Sequence, residues 1–423
     1  MANSLLTPTE ITREFLDILH SNIVICKNMD RQYESKFANS GVSLSGNKIG
    51  PNLRIRKPNV YNVRSSWPMA QQDITEAYET LTIDTVRGID MNFDDSALTL
   101  TIDDFSQRYI EPAAKRLAAE LDYVAGAYIV NNTYNAVGEI STTYYTPGSN
   151  SKPTTFLNAI KRVKENLAPM DDGICAIISP TTEASVVSGL SGLYNPQNAI
   201  SGQYEEGQMS RALGAKWYMS QLLSSHVNGT RTDTSPITSA APALGATSIV
   251  VTGAGNSLTY TVGDTFSISG IYEVNPESKQ QYATLKQFVC TSAVTSAANG
   301  NVTLYVAPAI YTSGPMQNCT AFGTTSRALY NITIANGYPS GPASSTMPVD
   351  IVMHEKSFAL ATVDLELPRG LDMAARASSD GISIRFLRGY DILNARMLSR
   401  CDIYFGICKL RPEWACKVWG AAA

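Results

Sequence analysis

The chain has 423 residues, with 33 Lys plus Arg, 37 Asp plus Glu and a formal net charge of -4. This length predicts two or three domains at roughly 150 residues each, and the balanced charge excludes a protein that holds nucleic acid or a membrane mainly by electrostatic attraction. Charged residues are only 17 % of the chain, below the roughly 25 % usual for soluble domains, so much of the surface is expected to be either uncharged or buried against other chains.

The cysteines and the first residues indicate the compartment. The seven cysteines are odd in number and include no CxxC spacing, which favours a reducing compartment. Charged residues interrupt the first 25 positions, so we expect no signal peptide, and no later stretch approaches the ~20 apolar residues of a membrane span. We therefore expect a protein that is cytoplasmic when made and has no membrane contact.

The first predicted element is an amphipathic helix over residues 7–25. Thr7 is a capping residue type and Pro8 suits a first helical turn. Apolar side chains recur at helical spacing at Ile11, Phe15, Ile18 and Leu19. From residue 35 to about 88, short alternating runs among Gly, Ser, Asn and Pro predict a long hairpin with too few apolar residues to be stable alone.

A long helix is predicted next, over residues 103–132. Asp103 and Asp104 offer a start, and an interior Pro112 predicts either a kink or a fresh helix with this proline in its first turn. Leu117, Leu121 and Val124 are the predicted core of the helix, on one apolar stripe. Further helices are predicted at 154–168, 181–189 and 203–213, and a buried strand at 174–178.

The composition changes sharply over residues 227–350. This stretch has nine charged residues in 124 and 33 Ser or Thr, and short alternating runs separated by turn residues predict an all-β module that folds autonomously. Strands are predicted at 248–252, 265–269, 288–290, 302–306 and 330–334. Charged residues return after 350 with the alternating runs 382–386 and 403–407, so the module is predicted to be inserted between two parts of one host domain.

The sequence offers little catalytic or metal-binding material. The chain has only three histidines, and the pair His354-Glu355 lacks the second histidine of a zinc-protease helix, so a structural role is predicted for it. The GxxxxGK[ST], GxGxxG and GxSxG patterns are all missing or incomplete. We predict no enzyme activity and no catalytic, cofactor-binding or metal-binding residues.

The order of these elements resembles that of tailed-phage major capsid (coat) proteins, especially those of short-tailed temperate phages of enteric bacteria, which carry an inserted β-barrel domain. One piece of the resemblance runs from 81–90 into 103–132, with Glu111-Pro112-Ala113 and a helical pattern ending at Asn131-Asn132. The second piece is Val262-Gly263-Asp264-Thr265-Phe266, with Tyr272 and the run 277–281.

The resemblance implies an α+β, Hong-Kong-97-like phage capsid fold with an inserted all-β, barrel-like domain. The implied parts are an N-terminal arm (1–34), an extended loop (46–88), a peripheral domain with its spine helix (89–134), an axial domain (135–226), the inserted domain (227–350) and the remainder of the axial and peripheral domains (351–423). The implied function is a major capsid protein whose hexamers and pentamers form an icosahedral shell.

The resemblance also implies partners. The shell would be built as a procapsid on a scaffolding protein in the host cytoplasm, carry a portal protein, and expand as it packages double-stranded DNA that it contacts non-specifically. The few charges of the insert depart from the family pattern. The near-neutral net charge agrees with a shell that encloses DNA without gripping it.

Two groups of charged residues are candidate contacts. Arg54, Arg56, Lys57 and Arg64 form a weak basic cluster that either contacts a neighbouring subunit or lies on a solvated hairpin. Glu10, Glu14 and Asp17 lie on the polar face of the first helix, where they either dock a basic scaffolding segment or only solvate the helix.

Two other classes of protein stay open at this point. A surface-layer or adhesin-like structural protein would explain the Thr-rich β module but predicts a secretion signal. A polysaccharide-active enzyme would need a carboxylate pair at a defined separation, for which the sequence offers only Asp171, Asp172, Glu205 and Glu206.

Overall fold

The computed structural model describes about three quarters of the chain. The described residues are 8–33, 50–61, 63–64, 67–69, 71, 76–94, 110–138, 153–190, 211–230, 237–238, 240–322, 329–330, 346–368, 370–371, 373–392 and 396–419.

The described residues form four α-helices and 22 strands. The helices are α1 (Pro8–Asn22), α2 (Glu111–Asn132), α3 (Pro153–Glu165) and α4 (Pro180–Leu190). The strands up to the middle of the chain are β1 (Asn52–Arg56), β2 (Tyr78–Thr82), β3 (Thr85–Asp94), β4 (Ala136–Val137), β5 (Ile174–Ile178), β6 (Arg211–Ala212), β7 (Ala215–Met219) and β8 (Ser225–Val227). They are followed by β9 (Ile237–Thr238), β10 (Ala246–Thr252), β11 (Thr259–Tyr260), β12 (Thr265–Val274), β13 (Gln281–Cys290), β14 (Val294–Thr295), β15 (Val302–Ile310) and β16 (Leu329–Tyr330). The last are β17 (Thr346–His354), β18 (Phe358–Thr362), β19 (Met373–Ser379), β20 (Ile382–Asp391), β21 (Arg396–Lys409) and β22 (Ala415–Trp419).

The chain groups into two compact units. Unit 1 comprises Met1–Arg56, Tyr78–Ala125 and Phe358–Leu410, and unit 2 comprises Lys57–Ala77, Gly126–Ser357 and Arg411–Ala423. The boundary between two of these stretches falls inside α2, after Ala125.

Unit 1 is built on a five-stranded antiparallel sheet. Its order is β18-β21-β20-β19, and the long strand β21 also pairs with β3. Helix α1 packs on β19 and β20, and it buries Phe15 and Leu19 as its helical spacing predicts. The predicted strands 382–386 and 403–407 lie within β20 and β21.

The predicted hairpin is present as the antiparallel pair β1 and β2, with Leu53 opposite Leu81. The burial of its residues alternates, because successive side chains of a strand point to opposite faces. Leu53 and Ile55 pack on a small core of unit 1 formed by Leu81, Ile83, Ala359, Ala361, Cys408 and Leu410. The base of the hairpin therefore rests on its own subunit.

The described part of helix α2 begins at Glu111, with Pro112 in its first turn. The predicted start at Asp103 lies outside the described residues, so the kink and the fresh helix both stay predictions. Leu117 and Leu121 are buried, as predicted. Val124 is only half-buried, so it lies at the edge of the core and not inside it as predicted. The reason is that the buried stripe moves round the helix toward Ala125 and Ile129, which leaves Val124 at its edge.

Unit 2 contains a mixed seven-stranded sheet in the order β4-β22-β17-β5-β7-β6, with β8 paired to β17. Strand β5 matches the predicted buried strand, and all five of its residues are buried. Helix α3 packs on β17 and β22 and supplies Phe156, Ile160 and Val163 to the core of this sheet. Helices α3 and α4 match two predicted helices.

The prediction of a third helix at 203–213 is wrong for its last three residues. Residues 203–210 lie outside the described residues. Arg211 and Ala212 form strand β6, and Leu213 with Gly214 makes the turn into β7, both at positive φ. A helix cannot run through two consecutive residues of left-handed backbone.

The residues between β8 and β17, numbers 228–345, are called the β-rich segment below. Its main sheet has the order β16-β12-β13-β15-β10-β9, which is open in the described part of the segment. Its core includes Ile249, Phe266, Phe288 and Leu304. Four of the five predicted strands lie within this sheet. Of the predicted strand at 330–334 only Tyr330 belongs to β16, and residues 331–334 lie outside the described residues. The predicted end of the module at 350 falls inside β17.

Candidate assembly surfaces

The loop between β1 and β2 exposes large apolar side chains. Val63 and Trp67 are each 98 % exposed and Met69 is 81 % exposed. Val60 and Tyr61 are also more than half exposed. Single exposed apolar residues are normal on a protein surface, whereas several within ten residues of one loop make it a candidate contact surface.

The four basic residues predicted as intersubunit contacts lie on this hairpin and its loop. Arg54 and Arg56 are exposed on the face of β1 opposite Leu53 and Ile55, and the Arg54 guanidinium carbon lies 4.9 Å from the centre of the Tyr78 ring. Lys57 is half-buried at the end of the ladder. Arg64 is exposed and donates to the backbone oxygen of Trp67. The structure therefore brings Arg54 and Arg56 together and leaves Arg64 on the loop.

The three acids predicted as scaffold contacts all lie in α1. Asp17 is exposed and Glu14 is half-buried, while the side chain of Glu10 lies outside the described residues. Arg13 is exposed in the same helix, so the polar face is of mixed charge.

A buried carboxylate that the sequence analysis missed ties the N-terminal stretch to α2. Asp122 is 1 % exposed and accepts backbone N–H bonds from Val24, Ile25 and Cys26 at 2.6, 3.2 and 3.0 Å. Burial raises the pKa of Asp122, and the three N–H donors oppose that rise. An aspartate within an apolar stripe at helical spacing is a signal of a buried carboxylate, but it does not identify the residues that bond to it.

Buried polar residues also line the seam between the β-rich segment and the rest of unit 2. The first group is called the Gln287 tie. The Gln287 amide forms two hydrogen bonds with the backbone of Ala136, which donates from N at 2.8 Å and accepts at O at 2.9 Å. Arg162 of α3 donates to the same Gln287 oxygen at 2.7 Å. The side chain of Gln287 thus pairs with Ala136 as a neighbouring strand would.

Charged residues complete the Gln287 tie. Glu273 accepts from Lys286 at 2.9 Å, and an Arg162 nitrogen lies 3.9 Å from its other oxygen. All three side chains are at most 4 % exposed. Burial acts to raise the pKa of Glu273, but the charges of Lys286 and Arg162 outweigh it, so this pKa lies below its ordinary value.

The second group at the seam is called the Lys417 tie. Lys417 of β22 is completely buried and donates to the backbone oxygens of Val130, in the last turn of α2, and of Gly263, in the β-rich segment, at 3.0 and 2.9 Å. His226 of β8 lies 2.9 Å from a carboxylate oxygen of Asp264. Gly263 and Asp264 belong to the run that the sequence analysis singled out, and this tie gives both a structural reason.

Asp350 of β17 is a further buried carboxylate, and its side chain lies against the first turn of α4. It accepts from the backbone N–H of Ser179 at 2.9 Å and from the Thr182 hydroxyl at 2.7 Å. Complete burial raises the pKa of Asp350 to about 7, against the lowering effect of these donors. The group is another polar contact that the sequence did not reveal.

The residues considered for catalysis have structural contacts. His354 is fully buried in β17 and bonds to Asp171 at 2.7 Å, and Asp172 pairs with Arg211. The hydrogen bond from His354 lowers the pKa of Asp171. Glu205 and Glu206 lie outside the described residues.

Within the described residues, no group of three or more His, Cys, Asp or Glu side chains is placed to hold a metal ion. No helix in the same residues has the length and hydropathy to cross a membrane.

Comparison with known proteins gives one family match and several distant structures. The family model described as P22 coat protein, gene protein 5, matches residues 1–419. No curated protein sequence matches the chain.

The solved structures are similar at low identity. A chain of Mycobacterium phage Che8 is 11 % identical with a TM-score of 0.49, over 94 % of this chain and 90 % of that one. A chain of the cyanophage P-SCSP1u capsid is 12 % identical with a TM-score of 0.45, over 88 % and 83 %. A chain of the Ralstonia phage GP4 capsid is 7 % identical with a TM-score of 0.43, over 93 % and 92 %.

The family model covers all but the last four residues of the chain. This extent decides between the classes that the sequence left open, because neither an adhesin-like protein nor a polysaccharide-active enzyme is expected to match a coat protein along its whole length. The predicted function and the absence of an enzymatic role are confirmed at the level of the family. The chain belongs to the P22 coat protein family and is a structural, shell-forming phage coat protein.

Proposed function

We propose that the chain assembles as hexamers and pentamers of an icosahedral shell and adopts the Hong-Kong-97-like version of the capsid fold. The single observation that carries this proposal is the apolar loop between β1 and β2, with Val63, Trp67 and Met69 exposed. Covering apolar surface contributes about 25 cal/mol per Å², so a neighbouring subunit that lies over this loop would stabilise the assembled state.

The β-rich segment is proposed as the inserted domain of this fold, within the predicted limits 227–350. Its entry and exit strands, β8 and β17, are antiparallel neighbours with Val227 opposite Thr346, which is the geometry expected where one domain interrupts another. Its separate apolar core supports the prediction that it folds by itself.

The remaining parts follow the same proposal. Residues 1–34 are the arm, 46–88 the extended loop, and 89–134 the peripheral domain with α2 as its spine helix. Residues 135–226 form the axial domain, which 351–423 completes together with the peripheral domain. The contacts of α1 with β19 and β20 support an arm that is anchored on its own subunit.

The proposed partners are a scaffolding protein, a portal protein and packaged double-stranded DNA, with assembly in the host cytoplasm. The exposed Asp17 and half-buried Glu14 are the described residues that a basic scaffolding segment would contact. Charge reversal of Glu10, Glu14 and Asp17 together should lower scaffold incorporation and weaken its salt dependence. Unchanged incorporation would leave these acids as solvating residues only.

The loop proposal is tested by comparing Trp67→Ser with Trp67→Phe in shell assembly, followed by sedimentation. Trp67→Ser should reduce the fraction of protein in shells, because it removes apolar area, while Trp67→Phe should retain most of it. The soluble subunit should melt at the same temperature in both variants, because Trp67 is exposed. Equal shell yields for the wild type and Trp67→Ser would contradict the proposal.

A further inference from the structure

The β-rich segment leaves and re-enters the rest of unit 2 at one place. Strands β8 and β17 pair from Ser225 to Val227, and they are the covalent connections at the two ends of the segment. A domain that is joined only by two adjacent strands is free to swing on them, because few contacts cross its boundary. What holds the segment in one orientation must therefore lie elsewhere along the seam.

The Lys417 tie fixes one point. The Lys417 ammonium donates hydrogen bonds to the backbone oxygens of Gly263 and Val130. This one group therefore connects β22 to both α2 and the segment. A Cβ atom on Gly263 would lie 2.7 Å from the Asn131 side-chain oxygen and 3.0 Å from the His226 ring, and its φ is +95°. Only glycine fits this approach without displacement.

The Gln287 tie fixes a second point on a different strand of the segment. Gln287 lies in β13 and contacts the backbone of Ala136, which pairs with Lys417 in the main sheet. Arg162 approaches the same point from α3, with Glu273 and Lys286 beside it. These contacts are buried, so water cannot replace a lost partner without opening the seam.

Most of the charged residues that the structure describes in the segment lie at this seam. The structure describes five of its charged residues, Asp264, Glu273, Glu277, Lys279 and Lys286. Three of them, Asp264, Glu273 and Lys286, are at most 3 % exposed, and each takes part in one of the two ties. Buried charge is costly unless it is paired, so its placement here indicates a defined geometry between the segment and its surroundings.

We propose that the Lys417 tie and the Gln287 tie act as a rigid mount that holds the β-rich segment in one orientation on the sheet of unit 2. Together with the two connecting strands they hold the segment through Gly263 and Asp264, just before β12, and through Gln287 in β13, which opposes the swing that the strands alone would allow. The mount is independent of the segment's own apolar core. Breaking a tie therefore releases the seam and leaves that core folded.

Hydrogen exchange of the full-length subunit, kept as a monomer, tests the mount. The variants are Lys417→Met and Gln287→Met, which remove the polar contacts with little change in side-chain length. The matched controls are Lys216→Met, on an exposed position of the same sheet, and Gln281→Met, on an exposed position of β13. Gly263→Ala disturbs the Lys417 tie through a residue of the segment, because its Cβ atom would clash with Asn131 and His226.

We expect exchange at residues 133–138 to accelerate by about tenfold or more in Gln287→Met, and at 261–265 in Lys417→Met and Gly263→Ala. Exchange in the core strands β10 and β15, and in β12 beyond Thr265, should stay within about twofold of the wild type, as should all sites in both controls. The proposal is overturned if exchange at 133–138 and 261–265 is unchanged in these variants. It is also overturned if the core strands accelerate as much as the seam, because the ties would then belong to the core.

Discussion

The loop between β1 and β2 and the seam of the β-rich segment depart from the usual distribution of side chains in opposite directions. The loop exposes Trp67 almost completely, whereas the seam buries Lys417 completely. Apolar residues are ordinarily inside and Lys or Glu ordinarily outside, so both regions call for a contact that accounts for them. The seam is already closed by contacts within the chain, and we infer that the loop is closed by a neighbouring subunit.

The two regions also differ in how they gain stability. Apolar contact at the loop is non-directional and tolerates small displacements. Hydrogen-bonded charges at the seam require defined positions, because a misplaced partner leaves a buried group unsatisfied. Substitutions at the seam should therefore act on the subunit, and substitutions at the loop should act on the shell.

The largest effect is expected at the seam, in Glu273→Ala. Removing this carboxylate leaves Lys286 and Arg162 buried without their negative partner, and breaking a buried ion pair typically costs about 3–5 kcal/mol. Denaturant unfolding of the monomeric subunit measures this loss.

Glu277→Ala is the control for Glu273→Ala, because Glu277 is exposed in the turn that follows β12. It should change stability by no more than about 0.5 kcal/mol. Equal stability of the two variants would mean that the charges of the seam do not hold the segment.

The next effect is expected in the apolar core of unit 1, in Leu121→Ala. Leu121 is 1 % exposed, and truncating a buried leucine costs about 2–5 kcal/mol. The free energy of unfolding should fall by this amount, with lower soluble yield. Val124→Ala should cost clearly less, because Val124 is half-buried. If Leu121→Ala is neutral, the position assigned to α2 is wrong.

A moderate, pH-dependent effect is expected at Asp350. Burial raises the pKa of Asp350 to about 7 in the folded chain, whereas an unfolded aspartate titrates near 3.9. Between about pH 4 and pH 7 the folded state therefore binds more protons, and this group's contribution to stability falls as the pH rises.

The comparison for Asp350 is the Asn variant, which keeps acceptor and donor atoms but does not ionise. The stability of the wild type relative to Asp350→Asn should decline from about pH 4 to about pH 7 and level off above that range. Thermal melting across this pH range measures the difference. Parallel pH profiles for the two proteins would exclude a raised pKa at this site.

The smallest effect on the subunit is expected from Arg56→Glu. Arg56 is exposed, and exposed charges contribute about 0–1 kcal/mol to folding, so the melting temperature of the monomer should hardly change. The heat resistance of the assembled shell should fall if the hairpin lies on a neighbour. Destabilisation of the monomer with an unaffected shell would reverse the assignment of Arg56 to a contact between subunits.

Much of the fold could be predicted from local patterns. Helices α1, α2, α3 and α4, the strand β5 and the strands β10, β12, β13 and β15 of the β-rich segment follow from apolar periodicity and turn residues. The error at 203–213 arose because a helical pattern there ends in Leu213 and Gly214, whose left-handed backbone makes a strand turn.

The buried polar contacts could not be predicted in the same way. Asp122, Gln287 and Lys417 each bond to residues about 100 to 290 positions away, and no local pattern reports a partner at that distance. The run around Gly263 and Asp264 was recognised as a resemblance, but its physical reason needed the position of Lys417. Local periodicity therefore predicts the elements, and the seam depends on their tertiary arrangement.

The most direct test of the central claim is an electron cryo-microscopy map of shells assembled from the full-length chain. The account predicts closed shells in which Trp67 and Val63 of each subunit are covered by a neighbouring subunit, while Lys417 and Gln287 keep their contacts within the chain. Shells in which the loop between β1 and β2 stays exposed to solvent would contradict the account.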